Sequence, residues 1–209
     1  MNAIAQDRPA TAPVTAPAPR TALRHPAPPK VRRMTLERWR NWKPADGWKY
    51  DWNDGVITKS KKMVSEKQRF IIRNITRAFV QSGYFQQGHD LISECEMAYN
   101  DFRYRVPDLA YFTKQQTVAA AKGEHGVSAF VVEVISNNDS GIAIEEKMWE
   151  YFEHGVQVVW HIWPSLQVVK VYTTPLESKS LIGDMVCSAA PALPDFEMTP
   201  NQIFHLEEE

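Results

Sequence analysis

From Met34 onward, apolar and polar residues recur with periods that define a series of short elements. Thr35-Leu-Glu-Arg-Trp-Arg-Asn-Trp42 predicts a short helix with Thr35 as its N-cap. Trp48-Lys-Tyr-Asp-Trp52 alternates, and Asn53-Asp54-Gly55 before Val56-Ile57-Thr58 predicts a hairpin. Between Val64 and Gln81 the apolar positions Phe70, Ile71, Ile75, Ala78 and Phe79 stand at helical spacing, and Gly83 is the expected stop. Extended segments are predicted over 84–99 and 106–112, and a short helix over Lys114–Lys122.

Ser128-Ala-Phe-Val-Val-Glu-Val-Ile135 is the most apolar strand and predicts a central position, covered on both faces. Asn137-Asn-Asp-Ser140 supplies turn and N-cap residues for a helix ending at His154, with Gly155 beyond it. Gln157–Trp163 and Leu166–Thr173, separated by Pro164-Ser165, predict another hairpin. The last thirty residues are weakly patterned. Strands alternate with helices but hairpins intrude, so the pattern predicts an α/β domain with a mixed sheet.

Composition adds a second region. The first 33 of 209 residues hold seven of the 14 prolines, and six basic residues (Arg8, Arg20, Arg24, Lys30, Arg32, Arg33) against one acid, Asp7. Such a stretch cannot build a core, and residues 1–33 are expected to be a disordered, Pro-rich basic leader before a domain over 34–206 and an acidic tail over 207–209. The leader masks an acidic domain: the chain is −1 overall, but the part after it is near −6. A basic leader can hold nucleic-acid phosphates loosely or simply aid solubility. No apolar run is long enough for a membrane span. Cys95 and Cys187 form no CxxC motif, which makes a reducing cytoplasm the default compartment.

Three residues carry the candidate chemistry. Glu133 interrupts Phe-Val-Val-Glu-Val-Ile, where an ionised carboxylate needs a cation, a metal or an outlet to water. Asp108, after Pro107, opens the apolar strand Leu-Ala-Tyr-Phe, so two carboxylates on neighbouring strands could hold a hard divalent cation. Lys147 shares an inward helix face with Ile144, Met148 and Tyr151, where it can either snorkel to water or stand beside the acids.

Asp108, Glu133 and an inward Lys resemble the PD-(D/E)XK nuclease constellation, although the usual Lys position, two after the Glu, is Ile135. More specifically, Tyr50-Asp51-Trp52-Asn53-Asp54-Gly55, Pro107-Asp108, Glu133-Val134-Ile135-Ser136, Lys147, Tyr151 and Gly155-Val156 resemble, in order and spacing, the bacterial Uma-two family of restriction-endonuclease-like proteins. That family carries its Lys on the following helix. The likeness spans about residues 35–173. Departures are Asp51 for the family's Glu, Lys67 for a His at the start of the long helix, Ala143 for an acid, and Asp139 for a Thr.

The resemblance implies a restriction-endonuclease-like α/β fold with a mixed central sheet flanked by helices. It implies a Mg²⁺- or Mn²⁺-dependent endonuclease acting on nucleic acid, chiefly DNA, with Asp108 and Glu133 on the metal, Lys147 beside the attacking water and Asp51 as either a further acidic ligand or a group behind the ligands. It also implies a homodimer, since cutting two strands suits two sites. The rival readings are a non-catalytic nucleic-acid or protein interaction module on this fold, and a structural protein in which Glu133 and Lys147 form only an ion pair. A basic cleft near Asp108 would favour the nuclease. The six histidines show no metal spacing, Ser136 lacks a nucleophile elbow, and Glu94 and Glu96 read as a solvated face, the alternative being Glu96 as an acid behind the metal ligands. The tryptophans cluster early and are expected to form a satellite core under the first hairpin, base stacking being the alternative.

Overall fold

A computed structural model describes residues 32–62, 68–100, 103–124, 126–137 and 139–206 of the chain. The expected acidic tail and nearly all of the expected leader lie outside these residues. The elements begin with β1 (Arg32–Arg33), α1 (Leu36–Asn41), β2 (Trp48–Asn53), β3 (Val56–Lys62), α2 (Arg69–Val80) and α3 (Gly83–Gln86). They continue with β4 (Asp90–Ser93), β5 (Met97–Asn100), β6 (Arg103–Arg105), β7 (Leu109–Phe112), α4 (Lys114–Ala121), β8 (Phe130–Val134) and α5 (Gly141–Glu153). The chain closes with β9 (Val158–Trp163), β10 (Val168–Thr174), β11 (Glu177–Leu181), β12 (Cys187–Ala189), β13 (Leu193–Met198) and α6 (Pro200–Phe204).

The central sheet has six strands in the order β11-β10-β9-β8-β7-β4. β8 and β9 run parallel, joined through α5, and the other pairings are antiparallel, so the sheet is mixed as the pattern predicts. All five β8 residues are buried, as expected of a strand covered on both faces. On one face Ile71, Ile75 and Phe79 of α2 pack with Leu109, Phe130, Val132, Trp160 and Phe196. On the other, Met148 and Tyr151 of α5 pack with Ala110, Val131, Val159 and Tyr172. Each such side chain, fully buried, contributes about 1.5–3 kcal/mol of transfer free energy.

A five-stranded sheet, β1-β3-β2-β6-β5, carries the aromatic satellite core. Trp39, Trp52, Ile57 and Tyr104 are buried there with Met34, and the Trp52 indole N–H donates to the Met34 carbonyl at 2.8 Å. Its β2–β3 hairpin turns through Asp54 and Gly55 at φ 47° and 78°, the left-handed pair that the Asn-Asp-Gly signal anticipates. Arg32 and Arg33 pair with Ile57 and Val56 at its edge.

Three local expectations are corrected. Gly83 does not stop the long helix: α2 ends with Gln81 as its C-cap, and Gly83 opens α3, because the extended Ser82 places its hydroxyl to accept the Phe85 N–H. The predicted extended run over 84–99 is accordingly α3, β4 and the start of β5. The weakly patterned C-terminal region contains β11, the β12–β13 hairpin and α6, where a register shift breaks the alternation and Thr199 and Gln202 form a capping box. Among the described residues, no helix is long and apolar enough to cross a membrane.

Candidate active site

The alternation of β8 sends Phe130, Val132 and Val134 into the α2 core and Val131 into the α5 core. Glu133 therefore falls on the α5 side, where it is 3% exposed. Its Oε1 receives the Lys147 ammonium at 2.7 Å and the Tyr151 hydroxyl, both from the inward stripe of α5. Burial, with the nearby Glu133 charge second, holds the Tyr151 phenol well above its ordinary pKa, so it remains a donor at neutral pH. The parallel register sets His161 of β9 beside Glu133.

β2 brings a second pair of charges inward. Lys49 and Asp51, two apart on the strand, are both buried, whereas Tyr50 and Trp52 pack into the aromatic core on the opposite face. Asp51 Oδ2 lies 3.0 Å from Arg105 Nη1, and Arg105 also donates from Nε at 2.7 Å and from Nη2 to Glu150 Oε2. Burial alone would lower the Arg105 pKa, but Asp51 and Glu150 carry it above the ordinary guanidinium value. Asp51 Oδ1 is buried without a hydrogen-bond partner among the described residues.

Glu133, Lys147, Asp51, Arg105, Glu150 and His161 all line one cavity of about 260 Å³. Asp108 does not line it. The β7–β8 pairing ends at Leu109–Val132, just short of Asp108. The Asp108 carboxylate is held elsewhere: Oδ2 accepts the Val134 N–H at 2.6 Å and Oδ1 accepts the Lys49 ammonium. Asp108 lines a second cleft, of about 480 Å³, with Arg69, Arg73, Arg77 and Glu94. The structure thus gathers three of the four sequence candidates, Asp51, Glu133 and Lys147, and separates Asp108 from their cavity.

Lys49 and Arg105 are not singled out by the sequence, and Glu150, which the helix pattern sets on the solvated side with Glu146 and Glu153, is instead half-buried against Arg105. For Lys49 a signal was available: with Asp51 it puts two opposite charges on the same face of an otherwise aromatic strand. Glu94 and Glu96 are exposed, as read, although Glu94 also approaches Lys49 at 3.7 Å. The buried carboxylates suit a hard divalent cation in donor type, and the orphaned Asp51 Oδ1 has capacity for one. Among the described residues no three His, Cys, Asp or Glu side chains converge into a ready-made cation cage.

A family model, Uma2, described as "Putative restriction endonuclease", matches residues 35–201. Among solved structures, the chain is similar to a crystal structure of "a putative nuclease belonging to DUF820" from Anabaena variabilis, with a TM-score of 0.68 and 18% identity, covering 82% of this chain and 97% of that one. That likeness shows a shared fold. No curated protein matches the chain significantly.

Proposed function

Since the chain belongs to the Uma2 family of restriction-endonuclease-like proteins, we propose that it is a metal-dependent endonuclease hydrolysing phosphodiester bonds of DNA. The observation that carries this reading is the cavity in which buried Glu133, its partner Lys147 and the half-satisfied Asp51 stand together. Asp51 and Glu133 would hold Mg²⁺ or Mn²⁺ in that cavity, and Asp108 would join them only with its carboxylate turned away from Lys49 and the Val134 amide. Such a cation supplies Lewis-acid polarisation of a phosphoryl oxygen and activation of water.

The chain's own residues have separate tasks in this reading. Lys147 orients the attacking water through its ammonium and offsets negative charge gathering on the phosphate in the transition state. Tyr151 holds Glu133 in place by donating to Oε1. Arg105, clamped between Asp51 and Glu150, holds the Asp51 carboxylate at the cavity wall. Arg69, Arg73 and Arg77 recur every four residues along α2, one face of the helix, and line the cleft beside Asp108. That cleft supports a nucleic-acid substrate despite the acidic total, because a local row of guanidinium groups attracts phosphates within a Debye length.

One observation favours the rival reading of a non-catalytic module: each candidate carboxylate already has a protein cation, Lys49 on Asp108, Arg105 on Asp51 and Lys147 on Glu133. The deciding experiment is cleavage of plasmid and single-stranded DNA with Mg²⁺ or Mn²⁺, comparing wild type with Glu133→Ala and Lys147→Ala. Metal-dependent cutting that disappears in both folded variants supports the nuclease. No cutting by wild type with either metal, together with no metal-induced rise in melting temperature, leaves the interaction module.

A further inference from the structure

Positive charge is unevenly placed along this acidic chain. Residues 32–62, which hold β1, α1, β2 and β3, carry nine lysines and arginines against four acids, whereas residues 63–209 carry 11 against 20. The same short stretch holds four of the seven tryptophans. Trp39 and Trp52 are buried in the satellite core, but Trp42, Trp48 and Tyr50 are only half-buried. Exposed cations lie over two of these rings: the Arg32 guanidinium is 5.0 Å from the Trp42 centroid, and the Lys59 ammonium is 4.0 Å from that of Trp48. A ring face covered by a long, solvated side chain, and not by packed core, is one that a planar ligand can reach when the cation moves to a better counter-charge.

We propose that this cation-covered aromatic face, with Trp48 and Lys59 at its middle, holds an unpaired nucleic-acid strand whose bases stack on the rings and whose phosphates take the cations. As a statement about substrate the inference rests on the nuclease reading above, and it makes single-stranded segments the substrate class. Lys59 joins the two surfaces. It lines the cavity that holds Glu133 and Lys147, and its ammonium lies over Trp48. Among the described residues β1 pairs only with Val56 and Ile57, so from Thr58 onward β3 is the outer edge of its sheet. A side chain at such an edge borders both faces, and a strand leaving the cavity passes Lys59 and meets Trp48. Stacking on protein rings requires unpaired bases, because in a duplex each base face is already taken by its neighbour. One acid stands in the patch, Asp46, and its charge is offset: Oδ2 accepts the Tyr50 hydroxyl at 2.5 Å and lies 3.7 Å from the Lys59 ammonium.

The test is binding of labelled oligo(dT) of about 12 nucleotides, within the roughly 4–16 that a single-strand platform occupies, by the full chain in EDTA, where no metal-dependent cutting interferes. A mixed-sequence duplex of the same length is the comparison, and tryptophan emission is the second readout. Wild type is expected to bind oligo(dT) more tightly than the duplex, with its emission quenched. Trp48→Ala should weaken oligo(dT) binding about tenfold, the scale of one lost stacked base, and leave duplex binding unchanged. Trp48→Phe should recover most of the affinity with less quenching, and Lys59→Gln should reduce the slope of log K against log salt by about 0.7. If Trp48→Ala does not fold, Trp48→Phe quenching and the Lys59→Gln slope carry the measurement. Oligo(dT) binding that is no tighter than duplex binding, or that is unchanged in the Trp48 and Lys59 variants, overturns the platform, and cutting by wild type with Mn²⁺ then leaves the nuclease reading standing. Binding that depends on Trp48, with no cutting under Mg²⁺ or Mn²⁺, supports the platform and overturns the nuclease reading.

Discussion

The Lys147 ammonium stands 2.7 Å from Glu133 Oε1, and Tyr151, one turn further along the same helix, donates its hydroxyl to that same oxygen. One carboxylate oxygen in the middle of the most apolar strand is thus held by two residues of α5. Removing either partner of a buried ion pair strands the other charge. Lys147→Met is expected to lower stability by about 3 kcal/mol, whereas the double change Glu133→Gln with Lys147→Met should cost clearly less than the two single changes added together. Urea unfolding of the four proteins measures this, and strict additivity would argue against the pairing.

Tyr151 gives the pair a signature in alkali. Its folded-state pKa lies above the ordinary 10.0, chiefly through burial. Unfolding therefore releases a phenol that ionises more readily than the folded one. The stability tied to its protonated form is fully present below about pH 10 and is lost progressively as pH rises beyond it. Tyr151→Phe should reduce the slope of stability against pH in that alkaline range, at the expense of a hydrogen bond worth about 1.5–3 kcal/mol to the charged Glu133. Thermal melts across pH 8–11 (from roughly two units below the ordinary tyrosine value to roughly one above it) provide the comparison.

Arg105 ties β6 to both Asp51 and Glu150. Asp51→Asn keeps the side chain's shape but removes the charge facing the guanidinium. The expected loss is about 2 kcal/mol in chemical denaturation, the scale of a charge-assisted hydrogen bond. Mn²⁺ binding should weaken in the same variant if Asp51 is a ligand, so a variant that loses stability but keeps its full Mn²⁺ affinity would confine Asp51 to a structural role.

The arginine row on α2 predicts a salt-dependent effect. Arg73→Gln and Arg77→Gln should weaken DNA binding about equally for unrelated sequences, and each should reduce the slope of log K against log salt by about 1. Fluorescence anisotropy over a salt series tests this. An unchanged slope would place the phosphates elsewhere.

Cys187 offers a simple check on the core. It is buried with Leu193 and Phe196, and burial pushes its thiol up to about 12. The thiolate is the reactive form, so Cys187 should resist a thiol reagent near neutral pH until the protein unfolds. The half-buried Cys95 is also raised, chiefly by burial and then by the Glu96 charge, and should react slowly. Rapid modification of both thiols in the native protein would contradict this packing.

Much of the fold was legible from local periods. β8 announced itself as a central strand because Phe130 to Val134 contain nothing that belongs in water except Glu133, and α5 followed from Ser140 at one end and Gly155 at the other. The segment after α2 was misread because Gly83 resembles a helix stop, whereas the Ser82 hydroxyl starts a new turn there. The C-terminal strands were hard to see because β11 (Glu-Ser-Lys-Ser-Leu) is exposed at every residue but Leu181, and the register shift between Ser188 and Ala189 interrupts the β12–β13 alternation.

The site divides in the same way. The sequence by itself determined that Glu133 needed a partner and that Lys147 and Tyr151 shared the inward face of the next helix, because strand and helix periods orient side chains over a few residues. Only the tertiary structure decided that Lys49 would meet Asp108, 59 residues away, and that Arg105 would bridge Asp51 and Glu150. The direction of the Asp108 carboxylate was likewise settled in three dimensions, by a lysine from another sheet and the Val134 amide. Charges buried at the junction of packed elements must find counter-charges there, and which ones lie within reach depends on how the sheets and helices come together rather than on any period along the chain.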